Sequence, residues 1–349
     1  MKKQFALIPA LALTVSLLAG CAGKPAAVAP AATAPTETTQ PEASVPVKTG
    51  LYIGTDISGS TDGQAKFDVT LVAVTVTDDG VIDSCVIDSI PASAAFDEKG
   101  TITSDISGEV LTKNELGEDY GMKAYAGSAY EWNEQAAALA QYAVGKTVEQ
   151  LKNGAVDETG YAADPDLATS ATIHLGSYVE GIEAAVNAAV HLGARSGDQL
   201  SLAAVTTLDG EDAGETDGFV RLNSDITAMT MDDGMITACC IDSLQAKIAM
   251  DASGKIVTDL TAPILTKNAL GEDYGMKLHG GAAREWNEQA AAFAAYVTGK
   301  TPEEVAGIAV NEKTAPAEAD LAASVTISIG GFQELIARAA ALAENGESR

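Results

Sequence analysis

Basic residues and histidine are scarce in this chain. Lys and Arg total 21 against 49 Asp and Glu, a formal charge of −28. Phosphate backbones and anionic headgroups are repelled by such a surface, which excludes nucleic acid as a partner. The acidity reads as a solvated, exported surface, with an acidic site for a cationic ligand as the alternative. The only histidines are His174, His191 and His279, and none recurs in the other half of the chain, which argues against zinc or haem held by histidine. Gly-x-Ser-x-Gly is missing as well, so neither motif nor triad supports a hydrolase. Cysteine is too sparse for a disulfide framework: of four, Cys21 belongs to the N-terminal signal, Cys85 and Cys239 occupy equivalent places, and Cys240 adjoins Cys239. The last three read as small buried hydrophobes, with a reactive or metal-binding thiol as the alternative. Beyond the N-terminus, no stretch is apolar enough to span a bilayer.

What is present begins with an export signal. Met1-Lys2-Lys3 gives a positive start, residues 5–18 an apolar run too short for a comfortable membrane span, and small residues precede Cys21. Residues 1–20 read as a signal peptide. Leu18-Ala19-Gly20-Cys21 resembles a bacterial lipobox, which implies a diacylglyceryl group on Cys21 and anchoring at the outer side of the cell membrane through acyl chains. Residues 21–49 hold five prolines, Pro25, Pro30, Pro35, Pro41 and Pro46, among Ala, Thr and Val. This composition reads as an extended tether.

The rest is one unit written twice. The block Lys113-Asn-Glu-Leu-Gly-Glu-Asp-Tyr-Gly-Met-Lys123, the block Glu131-Trp-Asn-Glu-Gln-Ala-Ala-Ala138 and the closing Gly145-Lys-Thr147 recur at a constant offset of 154 (267 − 113). Two homologous domains follow, 50–195 and 200–345, each expected to hold its own core. Each copy opens with Gly-rich turns and a β-branched strand, 67–77 in the first. A hairpin turn at Asp78-Asp79-Gly80, or Asp232-Asp233-Gly234, leads to a second strand ending near residue 87 or 241. Trp132, Ala136, Leu139 and Ala143, like Trp286, Ala290, Phe293 and Val297, space one apolar helix stripe, with Asn133, Glu134 and Gln141 toward water. Thr147-Val-Glu-Gln150 and Thr301-Pro-Glu-Glu304 are capping boxes. The Gly-Lys-Thr is no phosphate loop, because Ala140 and Ala294 replace the required earlier glycine. A strand-like piece, 171–175 or 325–329, precedes a last amphipathic helix. The fold class is α+β: two tandem homologous domains, each a small antiparallel sheet packed by helices.

The pattern that could carry chemistry is Asp166-Leu-Ala-Thr-Ser-Ala-Thr172, with Asp320-Leu-Ala-Ala-Ser-Val-Thr326 in the second copy. A phosphate ester on Thr172 would lie near the start of the last helix, where free amides favour an anion. A Gly-rich opening, an Asp-Gly-x-Ile hairpin and a late Asp-x-x-Ser/Thr-Gly-Ala-Thr before a final helix resemble the FMN-binding domain of exported redox lipoproteins. The resemblance implies FMN attached through its phosphate to Thr172 by a flavin transferase that recognises Asp166, with Thr326 and Asp320 as the second set. Ser170 stands where the family has glycine, and Ala323, Ser324 and Val325 depart further, so Thr172 comes first. The resemblance leaves residues 113–147 unexplained; Trp132 and Trp286 are core anchors or, alternatively, stacking faces for a flavin. The expected function is a membrane-anchored extracytoplasmic FMN carrier in electron transfer, with a redox partner, rather than a stand-alone enzyme. The alternative is a non-enzymatic ligand-binding or surface lipoprotein without flavin.

Overall fold

The structure, a computed structural model, describes residues 44–344. Cys21 and most of the tether lie outside the described residues. The first repeat runs β1 (Lys48–Asp56), β2 (Gln64–Val76), β3 (Ile82–Ala95), α1 (Lys113–Leu116), a 3-10 turn (Gly117–Tyr120), α2 (Met122–Ala126), α3 (Trp132–Ala143), α4 (Val148–Gly154), α5 (Pro165–Ser170) and α6 (Gly176–Ala188). The second runs β4 (Gln199–Glu211), β5 (Gly218–Asp232), β6 (Met235–Met250), α7 (Lys267–Leu270), a 3-10 turn (Gly271–Tyr274), α8 (Met276–Gly280), α9 (Trp286–Val297), α10 (Pro302–Ala306), α11 (Ala319–Ala322) and α12 (Gly330–Glu344). The protein is α+β. Each repeat has one three-stranded antiparallel sheet, β1-β2-β3 or β4-β5-β6, packed by helices. Among the described residues, no helix is long and apolar enough to cross a membrane.

Side-chain alternation decides the layering. On the central strand β2, Val72 and Val74 point to one face and meet Cys85 and Ile87 of β3, Trp132 and Leu139 of α3, and Ile182 of α6. Phe67, Val69 and Leu71 point the other way. They meet Leu222, Ile226, Leu244 and Ile248 of the second sheet. The second repeat repeats the outer cluster with Met229, Cys239, Ile241, Trp286, Phe293 and Leu335. Each repeat therefore has a helix–sheet cluster of its own, and a third cluster is shared between the two sheets. A sheet buried on both faces needs strands that are apolar without interruption, and Leu71-Val-Ala-Val74 of β2 supplies one.

Two elements differ from the sequence reading. β1 occupies part of the stretch read as Gly-rich turns, and its Gly50 serves packing rather than turning. A Cβ there would lie 2.0 Å from the Ala185 carbonyl oxygen of α6, so only glycine lets the helix approach the strand. β3 continues to Ala95 although Asp88 and Pro91 interrupt its apolar pattern. Pro91 is tolerated because β3 pairs on one side only, with Asp68 opposite it. The hairpin turns are as expected, with positive φ at Gly80, Asp233 and Gly234.

Polar contacts between the repeats reinforce the shared cluster and are partly reciprocal. The Ile102 amide donates to Asp212 Oδ1 at 2.8 Å, and the Ile256 amide to Asp62 Oδ1 at 3.0 Å. Arg338 on α12 donates to Glu115 Oε1 and to the Ala204 carbonyl at 3.0 Å each and pairs with Glu109 at 2.6 Å, joining the first repeat's block to the second repeat's strand. We predict that residues 44–344 unfold in one cooperative transition. Phe67→Ala, which empties the shared core, should lower stability by about 3–5 kcal/mol and move the entire urea transition. A curve in which only half of the signal shifts would contradict the shared core.

Candidate functional site

The repeated block is an anchoring device with most of its bonds common to both copies. Thr112 and Glu115 form a capping box that starts α1, and Lys113 lies buried at its first position. Its ammonium sits 5.0 Å from the centroid of Tyr120 and 4.9 Å from that of Trp132; Lys267 does the same over Tyr274 at 5.1 Å and Trp286 at 4.9 Å. A cation against desolvated ring faces is stabilised by the ring quadrupoles. Trp132 and Trp286 are 3% and 6% exposed and stack edge-on to Tyr178 and Phe332. They are core anchors, which removes the reading that they stack on a flavin from the surface.

Asp88 ties the block to the sheet. Its Oδ1 accepts from the amides of Ser89 at 2.7 Å and Asn114 at 3.0 Å, and Asn114 Nδ2 donates to the Ile87 carbonyl at 3.0 Å. Asp242, Ser243, Asn268 and Ile241 make the same set. Burial pushes the Asp88 carboxyl up to about 7, against the Thr112 hydroxyl and the two amides, which favour the charged form. Burial raises Asp242 as well. Cys85 and Cys239 behave as small buried hydrophobes, and burial pushes their thiols up to about 12; Cys240, read from the sequence as buried, is half-buried.

The threonine loops hang from this block. Gln135 on α3 is fully buried, and its Oε1 accepts from the Thr172 amide at 2.7 Å, the Thr172 hydroxyl at 3.1 Å and the Ile173 amide at 3.1 Å. Its Nε2 donates to the Tyr130 carbonyl at 3.1 Å. Gln289 holds the Thr326 amide at 2.7 Å, its hydroxyl at 3.0 Å and the Ile327 amide at 3.2 Å. Residues 171–175 and 325–329 are thus not strands. Their amides go to a glutamine side chain and to local carbonyls instead of a ladder.

Thr172 and Thr326 are exposed and lie just past the ends of α5 and α11, while Asp166 and Asp320 are exposed in the first turns of those helices. Among the described residues no hydrogen bond joins Asp166 to Thr172 or Asp320 to Thr326. The expected anion seat at the start of α6 is already in use: the Leu175 and Gly176 amides donate to the Gly160 carbonyl at 2.7 and 3.1 Å. An FMN phosphate on Thr172 would therefore attach to an exposed residue of a fixed loop, whose hydroxyl donates to Gln135, without those two amides as a cradle. No group of three metal-ligating side chains is disposed to hold an ion among the described residues.

Two clefts lie where the repeats meet. The first, of about 260 Å³, opens between β3 and β4 under α1 and α3 and is lined by Asp88, Asn114, Glu115, Asn133, Leu202 and Ala204 among others. The second, of about 410 Å³, has Asn268, Asn287, Cys240 and Ile241 on one side and 190–192, the segment after α6, on the other. Asn133, read from its spacing as facing water, is half-buried. Its Oδ1 and that of Asn287 are buried with no partner. The near-identical repetition of Trp-Asn-Glu-Gln was the one signal for Asn133 and Gln135 in the sequence. Comparison with protein-family models, curated proteins and solved structures finds no match for this chain.

Two outcomes follow from this geometry. Asp88 binds its proton more tightly folded than unfolded. Its neutral form therefore carries no penalty below about pH 4, and ionising it costs stability as pH rises toward 7, by up to about 4 kcal/mol. Urea midpoints from pH 4.5 to 7.5 should fall less steeply in Asp88→Asn than in the unaltered chain; equal slopes would refute the shift. Gln135→Leu should leave the Thr172 and Ile173 amides without a partner, costing about 1–3 kcal/mol. Hydrogen exchange at those two amides should accelerate while the Thr326 loop is unchanged.

Proposed function

We propose that this protein is a membrane-tethered extracytoplasmic carrier in which Thr172 bears FMN through a phosphoester, with Thr326 as a second attachment point. The observation supporting it is the state of the Thr172 hydroxyl. Thr172 is an exposed residue, yet its loop is fixed by a buried glutamine. Transfer from an FMN donor activated as a phosphoanhydride breaks that anhydride bond and forms the Oγ1–P bond, the hydroxyl proton leaving with the displaced phosphate; the bond from Oγ1 to Gln135 is then lost, while the Thr172 and Ile173 amides continue to donate to the same Oε1 and hold the loop. Asp166, exposed six residues earlier, is free to be read by a flavin transferase. When bound, the flavin supplies the electron chemistry, and this chain supplies its position. Lipidation at Cys21 would set that position outside the cytoplasm, at the membrane, near a redox partner.

A second reading, a non-enzymatic binding lipoprotein, is favoured by the paired clefts at the two seams between the repeats. The two differ in a direct measurement. The full chain is co-expressed with a flavin transferase, and its absorption spectrum and peptide masses are recorded. The carrier reading expects a flavin phosphate adduct on the peptide containing Thr172, lost in Thr172→Ala and retained in Thr169→Ala. Unmodified peptides and colourless protein beside an active transferase would overturn it.

A further inference from the structure

Each seam cleft holds two asparagines from the repeated block, and their amides are turned in opposite senses. Asn114 Nδ2 is committed to the Ile87 carbonyl and Asn268 Nδ2 to the Ile241 carbonyl, at 3.0 Å in both copies. The outward end of each is consequently its carbonyl oxygen, an acceptor. Asn133 and Asn287 are the reverse: Oδ1 is sealed from water without a partner, and Nδ2 makes no hydrogen bond among the described residues, which leaves the donor end toward the cleft. A buried oxygen without a partner is costly, and a terminal amide turns over readily. Both copies share this orientation, with the N–H groups toward the cleft.

We propose that the two clefts are binding sites for a small carboxamide-bearing molecule, which Asn114 with Asn133, and Asn268 with Asn287, recognise by one acceptor and one donor each. A carboxamide offers the complementary pair, an N–H and a carbonyl oxygen, and is uncharged, as suits an entrance on a chain of net charge −28. The apolar remainder of the ligand has matching walls: Leu202 and Ala137 in the first cleft, Val190 and Ala294 in the second. The volumes fit a ring-sized molecule rather than a chain. The walls also separate the two sites. Asp88 and Glu115 line the first cleft, whereas Cys239 and Cys240 line the second, so the first tolerates a further donor on its ligand and the second favours an apolar one. This deepens the binding reading and is independent of flavin attachment, since Thr172 and Thr326 line neither cleft.

The test uses the full chain, labelled with nitrogen-15, titrated with benzamide and with methyl benzoate, which keeps the ring and carbonyl but lacks the N–H. Benzamide should give saturable shifts at the side-chain amides of Asn133 and Asn287, at about tenfold lower concentration than the ester. Asn133→Leu should abolish the benzamide shifts at the Asn114 side-chain amide alone and Asn287→Leu those at the Asn268 side-chain amide alone, with urea midpoints no lower, because an orphaned polar atom has been removed. Should either leucine variant fail to fold, the isosteric aspartate variant, which lacks the N–H donor, must show the same local loss. No saturable shift, equal response to amide and ester, or a benzamide preference that survives the substitutions would overturn the proposal.

Discussion

Burial of each sheet on both faces is the constraint on which the rest depends. A strand such as β2 that meets helices on one side and a second sheet on the other has no solvent face. Its repeat is then not complete by itself: the face carrying Phe67, Val69 and Leu71 would lie open without the partner copy. Duplication answers this, since the second copy brings the same kind of apolar face. The layers run helices, sheet, sheet, helices, and the two strand edges that do not pair across the seams leave the clefts.

Given that arrangement, the repeated block acts as a clamp between strand and helix. Asp88 receives the start of α1, the Lys113 ammonium lies against Tyr120 and Trp132, and Gln135 reaches from α3 to the threonine loop. All but the Lys113–Tyr120 contact join segments distant in sequence, which is a physical reason why the block tolerates little change between copies. Changing one partner would strand a buried polar or charged group, and that costs more than the bond itself contributes. The copies differ where such contacts are missing. Glu115, which lines the first cleft, pairs with Arg338, which also holds Glu109, and the sequence counterparts of these three, Ala269, Ala184 and Pro263, carry no charge. Two clefts on one plan thereby have unlike rims.

The exposed threonines and the sealed asparagines illustrate two ways of preparing a surface. Thr172 is an exposed residue on a loop whose amides are satisfied from beneath. Asn133 presents a donor while leaving its own oxygen unsatisfied. The first costs the fold nothing; the second retains a penalty that a bound molecule need not remove, provided that it uses the outward N–H. Either way the helix α3, rigid and anchored through Trp132, sets the geometry for both, since Asn133 and Gln135 lie two residues apart on it.

The sequence by itself determined the repeat, the α+β class, the helix of Trp132, the capping boxes and the hairpin turns, because each of these is local: a period of 3.6, a glycine with positive φ, a threonine three residues before a glutamine. It marked Thr172 and Asp166 through a short pattern. It did not reveal β1, whose end at 54–56 falls in the stretch read as Gly-rich turns and whose Gly50 permits a close helix, or the far half of β3, where Pro91 and Asp88 break the apolar run for reasons of edge and clamp. Only the tertiary structure decided that the copies share a core, that the Thr172 loop hangs on Gln135, and that Asn133 faces a cleft instead of water. Those facts depend on which distant surfaces meet, and helical spacing assigns a face to a residue without saying what lies opposite it.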